Sequence, residues 1–279
     1  MKSADTSAIT IIEPSRGWVP LKLADLWEHR EVLYYLVWRD LKVRYRQTML
    51  GVAWAFVQPL FGMLLFTAIF GKLVKVPSDG LPYAVFALSG LVPWNFFGTA
   101  LTQSSNSLVV NSALLRKVYF PRLLLPLGRV LGCLPDLGLT VGLLLVMAWW
   151  YGLRPSLASV AWVPALVLLA LVTALAAGIW LSALNVRFRD VQHLVPFLVQ
   201  LWMFATPIIY PSSLVPERWR PLYALNPMVG VVDGFRWALL GTGTPPSATV
   251  AASALGALVI LVTGAFFFRR VEKSFADIV

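Results

Sequence analysis

The sequence predicts an all-α membrane protein with six transmembrane helices. An interfacial amphipathic helix precedes the first, and outer re-entrant helices lie between the fifth and sixth. Three observations carry this expectation. Hydrophobic residues fill 58% of the 279 positions and charged residues only 13%, about half the charged share of a soluble domain. Charge-free stretches run over 47–71, 80–115, 155–186, 191–216 and 237–268, each longer than the roughly 20 apolar residues that cross about 30 Å of hydrocarbon. The basic residues also fall in short clusters whose density alternates along the chain.

The elements follow in order. The first 20 residues are polar and interrupted by Pro14 and Pro20, so no cleavable leader is expected and the first span should stay as an anchor. A cytosolic tail over 1–30 precedes an amphipathic segment over 31–48. There Tyr34, Val37, Trp38, Leu41 and Tyr45 recur at helical spacing, with Arg39, Lys42 and Arg46 opposite. That pattern predicts a helix in the headgroup plane. Residues 49–279 form the transmembrane domain, with spans over 51–71, 82–108, 123–150, 160–184, 191–210 and 248–268.

Lysine and arginine counts orient the spans. The N-terminal segment, the second and fourth loops and the C-terminus hold sixteen, whereas the opposite side holds six. The positive-inside bias therefore predicts that both ends are cytosolic. Trp149, Trp150 and Tyr151 mark an outer interface. The second loop, 111–121, reads either as a short helix along the membrane surface, with Leu114, Leu115 and Val118 beside Arg116 and Lys117, or as an ordinary basic loop. Residues 211–247 hold six prolines. Within them 229–240 is apolar but spans only half a membrane, as a re-entrant or interfacial helix on the outer side would, and Asp233 and Arg236 stand at i, i+3.

The chemistry excludes more than it assigns. The net charge of +10 lies in loops between apolar spans, which argues for phospholipid rather than nucleic acid. One cysteine, Cys133, and two distant histidines, His29 and His193, offer no disulfide framework or metal spacing. Gly71-Lys72 lacks the glycine spacing of a phosphate-binding loop, so an ATP motor would have to lie on another polypeptide. Asp136 is the one midspan carboxylate, about 20 Å from Arg122 at the rise of a helix, with Arg129 seven residues earlier. It reads as a group hydrogen-bonded inside the bundle beside Pro135, or as an ion-coupling site. Gly128-x3-Gly132 and Gly138-x3-Gly142 permit close helix packing.

Particular strings then resemble a known family. They are Arg39-Asp-Leu-Lys-Val-Arg-Tyr-Arg-Gln-Thr-Met-Leu-Gly51 with Trp54 and Gln58-Pro59-Leu60, and Asn111-Ser-Ala-Leu-Leu-Arg-Lys-Val-Tyr-Phe-Pro-Arg122 with Leu125-Pro126. Further on come Arg187-Phe-Arg-Asp190, Thr206-Pro-Ile-Ile-Tyr-Pro211 and Leu225-Asn-Pro-Met228 with Arg236. In order and spacing, over about residues 30–275, they resemble the ABC-2 permeases that export polysaccharide.

The resemblance implies a homodimer in a bacterial cytoplasmic membrane, joined by two copies of a nucleotide-binding ATPase that holds ATP and Mg. This chain would then carry no cofactor and no catalytic residue. The cargo would be an undecaprenyl-type lipid-linked glycan of the O-antigen, capsule or teichoic acid kind. Residues 111–121 match the coupling helix, placing Leu114, Arg116, Lys117 and Tyr119 against the ATPase. Spans one and five would line the path. Arg44, Arg46, Arg187 and Arg189 would then meet the lipid pyrophosphate, since guanidinium forks suit phosphate oxygens. Trp54, Phe66, Phe70, Trp202, Phe204 and Tyr210 would face the sugars. A drug exporter of the same architecture and a membrane-embedded transferase are the competing readings.

Overall fold

The computed structural model describes residues 23–46, 51–241 and 245–272. Residues 1–22 of the tail, 47–50 of the first motif and the terminal Lys273 lie outside the described residues. Every regular element among the described residues is helical. The order is α1 (Leu23–Glu28), α2 (Arg30–Arg46), α3 (Ala53–Phe66, continued as a π-helix over Thr67–Leu73), α4 (Tyr83–Ser105), α5 (Ser107–Val110), α6 (Ser112–Lys117) and α7 (Leu124–Leu131). There follow α8 (Leu134–Trp150), α9 (Leu157–Val160), α10 (Val163–Arg187), α11 (Val191–Phe204), α12 (Arg220–Tyr223), α13 (Pro227–Leu240) and α14 (Ser247–Glu272).

Five helical stretches are long and apolar enough to cross a membrane: Ala53–Leu73, Tyr83–Ser105, Leu124–Trp150, Leu157–Arg187 and Ser247–Glu272. The fifth segment expected from the sequence, 191–210, is helical only as α11. Its 14 residues reach about 21 Å at 1.5 Å per residue. The apolar run outlasts the helix because residues 206–209 turn inward and are buried, where Pro207 contributes no backbone donor to a further helical turn.

Helix α4 is the centre of the bundle and packs against α3, α7, α8, α10, α11 and α13. Small residues bring its neighbours close. A Cβ on Gly98 would stand 3.0 Å from the Val199 side chain of α11, so glycine there sets the approach of the two helices. Among hydrocarbon tails such packing, rather than expulsion of water, holds helices together.

The segment expected to be re-entrant contains α13, which is buried along nearly its whole length between α4, α10 and α14. Asn226 caps its start, accepting from the Met228 N–H, and Gly241 ends it at φ 69° in the left-handed region.

The amphipathic helix α2 divides its apolar residues in two. Leu33, Leu36 and Val37 pack over Gly128 of α7, so one of the two glycine patterns receives α2. Tyr34, Tyr35 and Trp38 project away from the protein, at least half exposed. Gly138 and Gly142 face open space.

Candidate functional site

One end of the bundle, where α2 meets the third span, gathers charged side chains that lie far apart in sequence. Asp40 and Arg44 stand one turn apart on α2, and Arg129 and Asp136 flank the helix break at residues 132–133. Asp40 lies 3.2 Å from Arg129 Nε, and Arg44 lies 2.5 Å from Asp136. The two pairs run in opposite senses: α2 presents an acid and a base, and the third span answers with a base from α7 and an acid from α8. The break between α7 and α8, next to Pro135 at the start of α8, opens the space for them. Arg44 also donates to Gln103 Oε1 at 2.8 Å and to the Gly132 carbonyl at 3.3 Å. Tyr45 donates its hydroxyl to the second oxygen of Asp136.

Asp136 is thus a structural acceptor that joins α2 to the third span, and its base is Arg44 rather than the Arg129 of its own segment. Burial pulls the Arg44 pKa down, but the neighbouring Cys133 and Asp136 reverse this, leaving it raised. Burial and the hydrogen bond to Asp136 push the Tyr45 hydroxyl up to about 12.

A cavity of about 230 Å³ opens beside this cluster, lined by Arg44, Tyr45, Trp54, Gln58, Gln103 and Asp136 among others. A second, of about 400 Å³, continues along α4 past Asn95, Thr99 and Gln103 to Pro196 and Val199 of α11. The remaining arginines expected at phosphate sit apart from the pair. Arg46, Arg187 and Arg189 are exposed, with the Arg187 guanidinium 5.5 Å from the centre of the Phe188 ring.

The aromatic residues expected along the path separate into two groups. Trp54 and Phe204 are 54% and 53% exposed. Trp202 instead packs edge-on against Phe97 at 5.2 Å and donates from its indole to Asn226. Phe66 and Phe70 meet edge to face at 5.6 Å. Tyr210 donates to the Phe204 carbonyl and accepts from Tyr223, whose own pKa is pushed up by burial and by that contact.

On α6, Leu114 packs into the small core that also holds Leu36 and Phe268. Arg116, Lys117 and Val118 turn outward, and Tyr119 is 95% exposed. Arg39 of α2 reaches the Asn111 side chain at 3.1 Å, which ties α2 to the base of α6.

At the other end of the bundle, Asp233 and Arg236 stand 3.8 Å apart. Asp233 accepts from Ser212 at 2.6 Å, while Arg236 lies 3.8 Å over the centre of the Phe86 ring and donates to the Ile208 carbonyl. Sequence reasoning saw Tyr45 only as part of an apolar face and Gln58 only in a motif, and it missed Asn95, Thr99 and Gln103. The last three recur every four residues, which was the available signal.

A bundle with five helical stretches long and apolar enough to cross a bilayer is that of a multi-pass membrane protein. The family profile described as ABC-2 type transporter matches residues 31–240, and the chain belongs to that family. It is 34% identical over 255 residues, covering 91% of this chain and 97% of the relative, to an O-antigen export system permease protein of Myxococcus xanthus. It is 29% identical over 248 residues to an O-antigen export system permease protein of Klebsiella pneumoniae, covering 89% and 95% of the two chains. A polysialic acid transport protein of Escherichia coli is 23% identical over 240 residues, covering 85% and 92%.

Proposed function

We propose that this chain is the membrane-spanning permease subunit of an ATP-driven exporter, carrying lipid-linked polysaccharide across the bacterial cytoplasmic membrane. One observation carries the reading: the likeness to O-antigen export permeases runs along nearly the whole of both chains. A likeness confined to a shared pore segment would indicate only an ABC-2 exporter.

In this reading the chain crosses six times with both termini cytosolic. Helix α11 and the buried turn after it make the fifth crossing, and α12 and α13 form the re-entrant part. The tail covers 1–30, the interfacial helix 31–48 and the transmembrane domain 49–279. Two copies assemble with two copies of a separate ATPase, which bind ATP and Mg. Leu114 seats α6 on the bundle while Arg116, Lys117 and Tyr119 meet the ATPase.

Arg46, Arg187 and Arg189 receive the pyrophosphate of an undecaprenyl-type carrier. Arg44, already bonded to Asp136, takes part through the depth at which it holds α2. Trp54 and Phe204 offer ring faces to passing sugars, with Phe66, Phe70 and Tyr210 further along and Trp202 bracing the wall.

Deleting the gene tests the reading directly. Lipid-linked polymer should accumulate at the inner face and return to the surface when the gene is restored. Unchanged surface polymer in the deletion strain refutes it. With that established, Arg46→Gln with Arg189→Gln should lower export about tenfold at unchanged protein level, the scale of one or two charge-assisted hydrogen bonds.

A further inference from the structure

From Val85 to Ser105, the residues of α4 that protein does not bury are Asn95, Gly98, Thr99, Thr102 and Gln103. They recur at i, i+3, i+4, i+7 and i+8, one continuous face of a helix. The pattern inverts what lipid demands, because an open face on a membrane helix should be apolar, and amides facing hydrocarbon would lack partners. The face forms the floor of a furrow. Helix α3 supplies one wall through Trp54 and Gln58, and α11 the other through Pro196 and Val199. The two cavities along it share Gln58, Asn95, Thr99 and Gln103.

We infer that this furrow is a sugar-binding track, engaging uncharged hydroxyl-rich rings of the glycan as it leaves the cytosolic face. The inference rests on the export reading above and adds to it the chemistry of recognition. An amide both donates and accepts; Gln103 Oε1 already accepts from Arg44, so the Gln103 NH2 and the Asn95 amide are the groups that suit neighbouring hydroxyls on a ring. Trp54 at the rim supplies an apolar face for the ring's C–H side. Arg44 and Asp136 at the lower end face each other, so the track presents balanced charge to its ligand. Amides and hydroxyls spaced one helical turn apart repeat the same contact as the chain advances, which tolerates many sugar sequences.

The test uses full-length protein in cells with its ATPase partner. A photoreactive benzoylphenylalanine at Thr99 should yield, on illumination during polymer synthesis, an adduct that stains for glycan. In parallel, Asn95→Leu with Thr99→Val should reduce surface polymer about tenfold, the scale of one or two lost hydrogen bonds. Membrane insertion and ATPase activity should stay normal. Ser89→Ala removes a hydroxyl from the buried side of the same helix, where it bonds only the Phe86 carbonyl, and should export normally.

An adduct containing only a second copy of this chain, or only phospholipid, overturns the track. So does wild-type export by the double variant. Either outcome leaves the export reading standing as long as gene deletion still blocks surface polymer. Surface polymer that is indifferent to gene deletion overturns both.

Discussion

The two ends of the bundle treat charge differently. Where α2 meets the third span, two acids and two bases from separate segments pair reciprocally, at 3.2 Å and 2.5 Å. Those side chains remain partly open beside a cavity. At the opposite end, Arg236 is 7% exposed, its carboxylate is 3.8 Å away, and its Nε and Nη1 have no hydrogen-bond partner among the described residues. The Phe86 ring supplies much of what the carboxylate does not, because a cation over an aromatic face is attracted by the ring's quadrupole. Ion pairs thus cross-link different helices at one end, whereas at the other the charge holds α13 against a carbonyl and a ring.

Breaking the cross-link should give the largest effect. Asp136→Ala strands Arg44, Tyr45 and part of the cavity wall, and should cost about 2–3 kcal/mol, below the range for a fully buried pair because both partners are partly solvated. Thermal unfolding of the solubilised protein would register it. The exchanged pair Arg44→Asp with Asp136→Arg should recover a good part of the loss, and no recovery would mean that Gln103 and Gly132 matter more than the charges.

Asn226→Ala should come next at about 2 kcal/mol, since it removes the α13 cap and orphans the Trp202 indole donor. Arg236→Lys keeps the charge but loses the planar fit over Phe86, and should cost about 1–2 kcal/mol in the same assay. A larger loss than for Asp136→Ala would reverse the contrast between the ends.

The smallest effect concerns pH. The Tyr45 pKa in the folded protein, about 12, lies above the ordinary 10. Its stabilising contribution is therefore complete below pH 10 and fades as pH rises through about 12. In an alkaline titration of phenolate absorbance, Tyr45→Phe should remove one group ionising near the top of the range. Loss of an ordinary group near pH 10 would show that Asp136 does not hold the hydroxyl.

Much of this architecture was legible in the sequence, because spans are set by length and hydropathy alone. Where the reading of residues went astray, tertiary context decided. Residues 205–209 continue an apolar run, so the sequence extends a helix that ends at Phe204. Tyr34 and Trp38 share an apolar face with Val37 by spacing, yet the bundle takes up Leu33, Leu36 and Val37 and leaves the two rings outside. The partners of Asp136 were out of reach, since Arg44 lies 92 positions away and Arg129 looked nearer along the chain. Asn95, Thr99 and Gln103 were visible as a repeat but were diluted by the apolar residues around them.

The reciprocal pairing between α2 and the third span acts as a key with a single seat. Sliding α2 by one turn would carry Arg44 to the place of Asp40, next to Arg129, and set like charges together. The same slide would leave Asp136 without its base. The two pairs therefore fix the register of α2 against α7 and α8. The contact of Asn111 with Arg39 extends this linkage from α2 to the base of α6.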